Sequence, residues 1–144
     1  MIENDSAPSD AFAQLVKRRG YRPVVAPDGS AALALLASWL NPDLIILDML
    51  MPQLGGWKFL EALRRSRHRD VPVIITSDIG LSDEWAADHG CASLLSKPFD
   101  DADLFAAIGR VLKSPDAPRG GRQSRTDRLD NRDSSAMAAG KKGG

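Results

Sequence analysis

Leu44-Ile45-Ile46-Leu47-Asp48-Met49-Leu50-Met51-Pro52 is the stretch on which the fold turns. Four large aliphatic residues in a row, without polar alternation, read as a strand buried on both faces, as in a parallel sheet. An aspartate closes the run. A carboxylate at the C-terminal end of such a strand stands where open α/β sheets bind ligands. Two more runs of this kind follow. Val71-Pro72-Val73-Ile74-Ile75-Thr76-Ser77 ends in hydroxyls, and Leu94-Leu95-Ser96-Lys97-Pro98-Phe99 passes through a lysine into a proline. Three strands that end in an acid, a hydroxyl and an ammonium would bring these groups to one sheet edge.

Between and around the strands the pattern is helical. Residues 10–19 read as a helix with Phe12, Leu15 and Val16 on one face and Gly20 as its stop. Residues 21–26 read as a short strand, and Pro23, which lacks a backbone donor, assigns it to an edge. Pro27-Asp28-Gly29 is a turn, and 30–40 is a helix broken by Asn41-Pro42. Residues 56–67 form a helix with Trp57, Leu60, Leu63 and Phe59 inward. Ser82-Asp83-Glu84 opens another as an N-cap with first-turn acids, and Gly90 closes it. A last strand over 92–97 and a last helix over 100–112 complete the series. Strands alternating with helices predict a doubly wound, parallel α/β sheet.

Bulk properties set the bounds. The chain has 144 residues, 43% of them apolar, which suits one core and a tail. No run reaches the ~20 apolar residues of a membrane span, and residues 1–5 do not read as a secretory signal. Cys91 stands alone, which leaves no internal disulfide and no cysteine-based zinc site. These features predict a cytoplasmic protein. Residues 1–113 carry 12 basic and 15 acidic side chains, and 114–144 carry 7 and 4. That last segment is rich in Ser, Pro, Gly, Arg and Asp and reads as a disordered tail. The domain is accordingly placed at 1–113 and the tail at 114–144. The tail is too polar to supply a second, DNA-binding output domain.

Asp48 with Met51-Pro52, Thr76 and Lys97-Pro98-Phe99, at these spacings, resembles the receiver domain of two-component response regulators. The resemblance covers residues 2–113. It implies the flavodoxin-like fold, with five strands in the order 2-1-3-4-5 and five helices. It also implies that Asp48 accepts a phosphoryl group from a histidine kinase or a histidine phosphotransfer protein in a phosphorelay. Mg²⁺ would then be held by Glu3, Asn4, Asp48 and the backbone carbonyl of Leu50. Thr76 and Lys97 would contact phosphoryl oxygens, and Pro98 would hold its loop through a cis peptide bond. Nothing past the last helix reads as an output domain, so the resemblance implies a stand-alone receiver that signals by docking on a protein partner.

Some positions depart from the family pattern. Asn4 stands where the family has a metal-binding aspartate, which removes one negative charge from the site. Leu94 stands where the family has an aromatic switch residue. Only Met1 and Ile2 precede Glu3, so the first strand is truncated, and an upstream start of the natural chain is the expectation. These departures keep open an alternative, a receiver-like interaction module that binds its partner without phosphorylation. A phosphoester-cleaving α/β enzyme lacks a Gly-rich phosphate loop and a second catalytic acid. The remaining chemistry-bearing residues read as structural. His68 and His89 are placed at the surface, and Trp39, Trp57 and Trp85 in helix packing. Cys91 reads as a small buried hydrophobe. The basic run Arg64-Arg65-Ser66-Arg67-His68-Arg69 ends a helix, where cations suit the dipole, and is not taken as a nucleic-acid patch.

Overall fold

The computed structural model describes residues 1–51 and 54–113. Pro52 of the family motif and the 114–144 tail lie outside the described residues. Along the chain run α1 (Ser6–Arg18), α2 (Gly29–Ser38), β1 (Ile45–Asp48), α3 (Gly56–Arg64), β2 (Val73–Ser77), α4 (Asp83–Asp88), β3 (Ser93–Ser96) and α5 (Asp101–Lys113). The fold is the doubly wound α/β sheet that the alternation predicts.

The three strands are parallel and lie in the order β1-β2-β3. Ile45–Asp48 pairs with Val73–Thr76, and Ile74–Ser77 pairs with Ser93–Ser96. Beyond β1 the sheet continues by single residues. Ile2 forms parallel bridges to Leu47 on one side and to Ala26 on the other. Ile2 N–H donates to Ile46 O at 2.9 Å and Asp48 N–H to Ile2 O at 3.1 Å, while Glu3 N–H reaches Ala26 O at 3.1 Å. Read across the sheet, the segments are thus Ala26, Ile2, β1, β2 and β3, the order 2-1-3-4-5. The predicted strand over 21–26 is reduced to its last residue, and the truncated first strand to Ile2.

Every residue of β1 and β2 is buried. Strand alternation then splits the core into two layers. Ile45, Leu47, Val73 and Ile75 pack with Leu36 of α2, Phe59, Leu60 and Leu63 of α3, and Ala86 of α4. Ile46, Ile74 and Leu95 pack on the other face with Leu104, Ala107, Ile108 and Val111 of α5, against which Phe12 of α1 also rests. Full burial of such side chains is worth roughly 1.5–3 kcal/mol each, which is why the aliphatic runs dictate the sheet.

Local signals act as read, with small shifts. Asp28 belongs to α2 as its N-cap, with its carboxylate accepting from Ala31 N–H at 2.8 Å. Ser82 caps α4, accepting from Trp85 N–H at 3.0 Å. Gly20 and Gly90 adopt φ of +88° and +69°, a conformation that costs glycine least. Three readings are corrected. His68 is buried, not at the surface, because α3 ends at Arg64 and the chain folds back. Its Nε2 lies 2.9 Å from Leu36 O, near the end of α2. Trp57 does not face inward. The buried stripe of α3 is Gly56, Phe59, Leu60 and Leu63, and Trp57 lies off it, 51% exposed. Trp39 likewise ends α2 in solvent, 65% exposed. The basic run has an architectural use. Arg64 donates to the carbonyls of Arg69 and Gly90, and Arg67 to Leu36 O.

Candidate functional site

Asp48 ends β1, beside Thr76 on β2, because those two residues are register partners. Lys97 follows β3 directly, and its backbone N–H donates to Ser77 O at 2.8 Å. The strand ends therefore deliver the acid, the hydroxyl and the ammonium to one edge, as the aliphatic runs predict. The Lys97–Pro98 peptide is cis.

The polar contacts are specific. Lys97 Nζ donates to Asp48 Oδ2 at 2.9 Å and lies 3.5 Å from Glu3 Oε2. Asp48 Oδ1 accepts from Leu50 N–H at 3.0 Å. Glu3 Oε1 accepts from Asp5 N–H at 3.2 Å. The Asp48 and Glu3 side chains are 6% and 8% exposed, so both charges sit in a region of reduced dielectric and need partners. One ammonium serves both. Burial alone would lower the Lys97 pKa, but the hydrogen bond and charge of Asp48, joined by those of Glu3, outweigh it and raise it. Lys97 is firmly a cation.

Thr76 differs from its neighbours. It is fully buried, and its Oγ1 has no hydrogen-bond partner. Such an unpaired hydroxyl typically costs 1–3 kcal/mol. A ligand oxygen delivered beside Asp48 would satisfy it. Ser77, next in β2, is also buried and closes a local turn, with Ile79 N–H donating to Ser77 Oγ at 3.2 Å.

Glu3 is thus brought to Asp48 and Lys97, whereas Asn4, next in the chain, is solvent-exposed. Leu50 is half-exposed and enters the site through its backbone N–H, a contact the sequence reading missed because it assigned only the carbonyl. Leu94 is partly buried against the α2–α4 layer, where an aliphatic side chain fits. Among the described residues, no three His, Cys, Asp or Glu side chains surround one point. A metal here would rely on the two carboxylates, amide or peptide oxygens such as those of Asn4 and Leu50, and water. Glu3 and Asp48 suit a hard dication that keeps several waters, as Mg²⁺ does. Their convergence on the Lys97 ammonium shows that the pocket favours positive charge.

The family model of the response regulator receiver domain matches residues 1–109. The chain belongs to the response regulator receiver family. It is 31% identical to the N-terminal domain of a response regulator receiver protein from Methanoculleus marisnigri JR1, with a TM-score of 0.61, covering 78% of this chain and 94% of that one. It is 28% identical to the Vibrio cholerae chemotaxis protein CheY4, with a TM-score of 0.68, covering 77% and 94%. Among curated relatives, it is 34% identical to the DNA-binding dual master transcriptional regulator RpaA of Synechocystis over 119 residues, which is 81% of this chain and 49% of the relative. The receiver therefore spans about half the length of that regulator. The same holds for the transcriptional regulatory protein CpxR of Escherichia coli, 30% identical over 78% of this chain and 48% of its own. No helix among the described residues is long and apolar enough to cross a membrane.

Proposed function

We propose that this receiver accepts a phosphoryl group on Asp48 from a histidine kinase or a histidine phosphotransfer protein, and signals by docking on a downstream protein. The observation that carries this reading is the convergence of Asp48, Lys97 and the unpartnered Thr76 hydroxyl at adjacent strand ends. Asp48 attacks phosphorus as the P–N bond of a phosphohistidine breaks. The imidazole nitrogen keeps the bonding pair and takes up a proton. Phosphoryl transfer depends mainly on positioning and on neutralising charge at the phosphoryl oxygens.

Each residue has a part in that step. Leu50 N–H fixes the rotamer of Asp48 through Oδ1. Lys97, paired with Asp48 Oδ2 beforehand, moves its ammonium onto an incoming phosphoryl oxygen. The Thr76 hydroxyl donates to a second one and gains its missing partner. Mg²⁺, held by Glu3, Asn4, Asp48 and the Leu50 carbonyl, would supply the remaining positive charge. Phosphorylation then favours the arrangement in which Thr76 and Lys97 are engaged, a two-state switch. On this reading the chain acts in the cytoplasm as a signalling acceptor and not as a turnover enzyme.

A second reading rests on Leu94 and Asn4. Leu94 packs as an ordinary aliphatic residue, and Asn4 is exposed. Both fit an interaction module that binds its partner without phosphorylation. Intact mass after incubation with acetyl phosphate and Mg²⁺ separates the two. A gain of one phosphoryl group in the wild type, absent in Asp48→Ala and suppressed by a chelator, is the expected result. A folded wild-type protein that gains no mass would overturn the acceptor reading in favour of the module.

A further inference from the structure

We infer that the groove beside the start of β1 takes an extended aliphatic segment of a partner protein as an added strand, whether or not Asp48 accepts a phosphoryl group. Two stretches of chain, residues 22–24 and 44–46, line this groove. Met1 and Ile2 occupy the end nearest Asp48 and show how a strand sits there. On one wall, Met1 N donates to Val24 O at 2.7 Å, and Ala26 N–H donates to Met1 O at 2.9 Å. On the other, Ile2 N–H donates to Ile46 O, and Ile2 O accepts from Asp48 N–H. One step back in the same register stand Val24 N–H and Arg22 O on the first wall, and Ile46 N–H and Leu44 O on the second. No hydrogen bond joins any of these four groups to a described residue. Ile46 N–H cannot serve β2, because Ile45 and Met49, at odd positions, donate to that side, at Pro72 O and Thr76 O.

Two facing rows of unpaired backbone donors and acceptors are what an added strand satisfies. A small apolar molecule would fill the space and leave all four groups unmet. The layers above and below decide the side chains. Successive side chains of a strand point to opposite faces. One face of the groove presents Phe12 of α1 with Ile108 and Leu112 of α5, and the other presents Leu36 of α2, Leu40 and Phe59 of α3. Both faces are apolar, so every side chain of the occupant is aliphatic, the pattern that Ile45, Ile46 and Leu47 show in β1. A charged residue would be buried on either face without a partner. The walls offer room for about three residues beyond Met1. Tyr21 and Trp39 line the same groove and are 38% and 65% exposed, which gives the preceding residues of the partner an aromatic surface to rest on. The segment runs parallel to β1, with its C-terminal end towards Met1.

The test titrates the full 144-residue chain with the synthetic peptide acetyl-Lys-Lys-Val-Leu-Val-Ile-amide, in which the lysines keep it soluble. The control peptide has the same sequence with N-methyl groups on Leu and the second Val, which removes two backbone donors and keeps the apolar content. Binding is followed by NMR, together with amide hydrogen exchange. The first peptide is expected to bind saturably and the N-methylated one about tenfold more weakly or less. Exchange at Ile46 and Val24 is expected to slow by about tenfold or more in the complex, because both amides gain acceptors. Absence of saturable binding would overturn the inference. Equal affinity for the two peptides would overturn it as well, since it would show a pocket for apolar matter and not a strand site. Binding that leaves exchange at Ile46 and Val24 unchanged would place the peptide elsewhere. Protection of Ile46 in the free chain equal to that of Leu47 would show that the site is closed in solution, with the same consequence.

Discussion

The two flanks of β1 are built differently. On one side, β1, β2 and β3 form a continuous parallel ladder, and β2 has Val73, Ile74, Ile75, Thr76 and Ser77 all within 1% of full burial. On the other side, the sheet rests on the single bridges of Ile2 to Leu47 and Ala26. A groove of about 670 Å³ runs along that flank, lined by Met1, Val24, Leu36, Trp39, Leu44 and Ile108 among others. The functional groups divide along the same line. Asp48, Thr76 and Lys97 stand on the ladder, and Glu3 stands on the bridged flank. The groups proposed to handle the phosphoryl oxygens therefore sit on or next to the paired strands, and the acid proposed to tune cation binding sits on a few hydrogen bonds.

Several substitutions would break or sharpen this contrast. The largest expected effect is chemical. Asp48→Ala should abolish the phosphoryl mass gain, whereas Glu3→Gln should retain it and only raise the Mg²⁺ concentration required. Equal loss in both would mean that the two flanks are not functionally distinct. Next comes packing. Ile75→Ala should lower unfolding free energy by about 3–4 kcal/mol in a urea titration, since its site is closed on all sides. Ile2→Ala should cost nearer 2 kcal/mol, because the bordering groove relaxes more easily. A reversed order would remove the contrast. Gly56→Ala is expected to cost about 1–3 kcal/mol by overpacking, because its Cβ would stand 2.8 Å from Met49 Cα. The shift should reach Asp48 and slow its phosphorylation.

Two smaller effects probe the ladder side itself. Thr76→Val removes a buried hydroxyl without a partner, so stability should rise by about 1 kcal/mol while the phosphorylated state loses one of its contacts. A fall in stability would show that the hydroxyl is satisfied in solution. Lys97 gives a pH signature. Its folded pKa is raised, so its pairing stabilises the protein fully below the ordinary lysine value of ~10.4 and less as pH climbs through the raised folded value. The melting temperature of the wild type should therefore fall towards that of Lys97→Met above about pH 10. A difference between the two proteins that stays constant through strongly alkaline pH would sink the assignment. With Lys97 a third exposed, solvent screening keeps this effect small.

Much of the molecule was legible from residue order. The aliphatic runs ending at Asp48 and Thr76 read as strands buried on both faces and are so, whereas the run before Lys97 forms a strand that is only partly buried. The caps at Ser82 and the stops at Gly20 and Gly90 are local events, set by short-range hydrogen bonding and backbone sterics. What the sequence could not supply depends on how elements meet. Trp57 and His68 were misplaced because burial is decided by which helix face meets a neighbour and where α3 stops. The strand over 21–26 shrank to Ala26 because pairing needs a partner, and only Ile2 and its neighbours lie beside it. The joint grip of one Lys97 ammonium on Glu3 and Asp48 brings together residues 94 positions apart in the chain. The sequence by itself determined which groups could do chemistry and at which strand ends they stand. Only the tertiary structure decided that Asp48 and Glu3 share a cation and that the Thr76 hydroxyl is left without a partner, because distances between strand ends follow from register and packing.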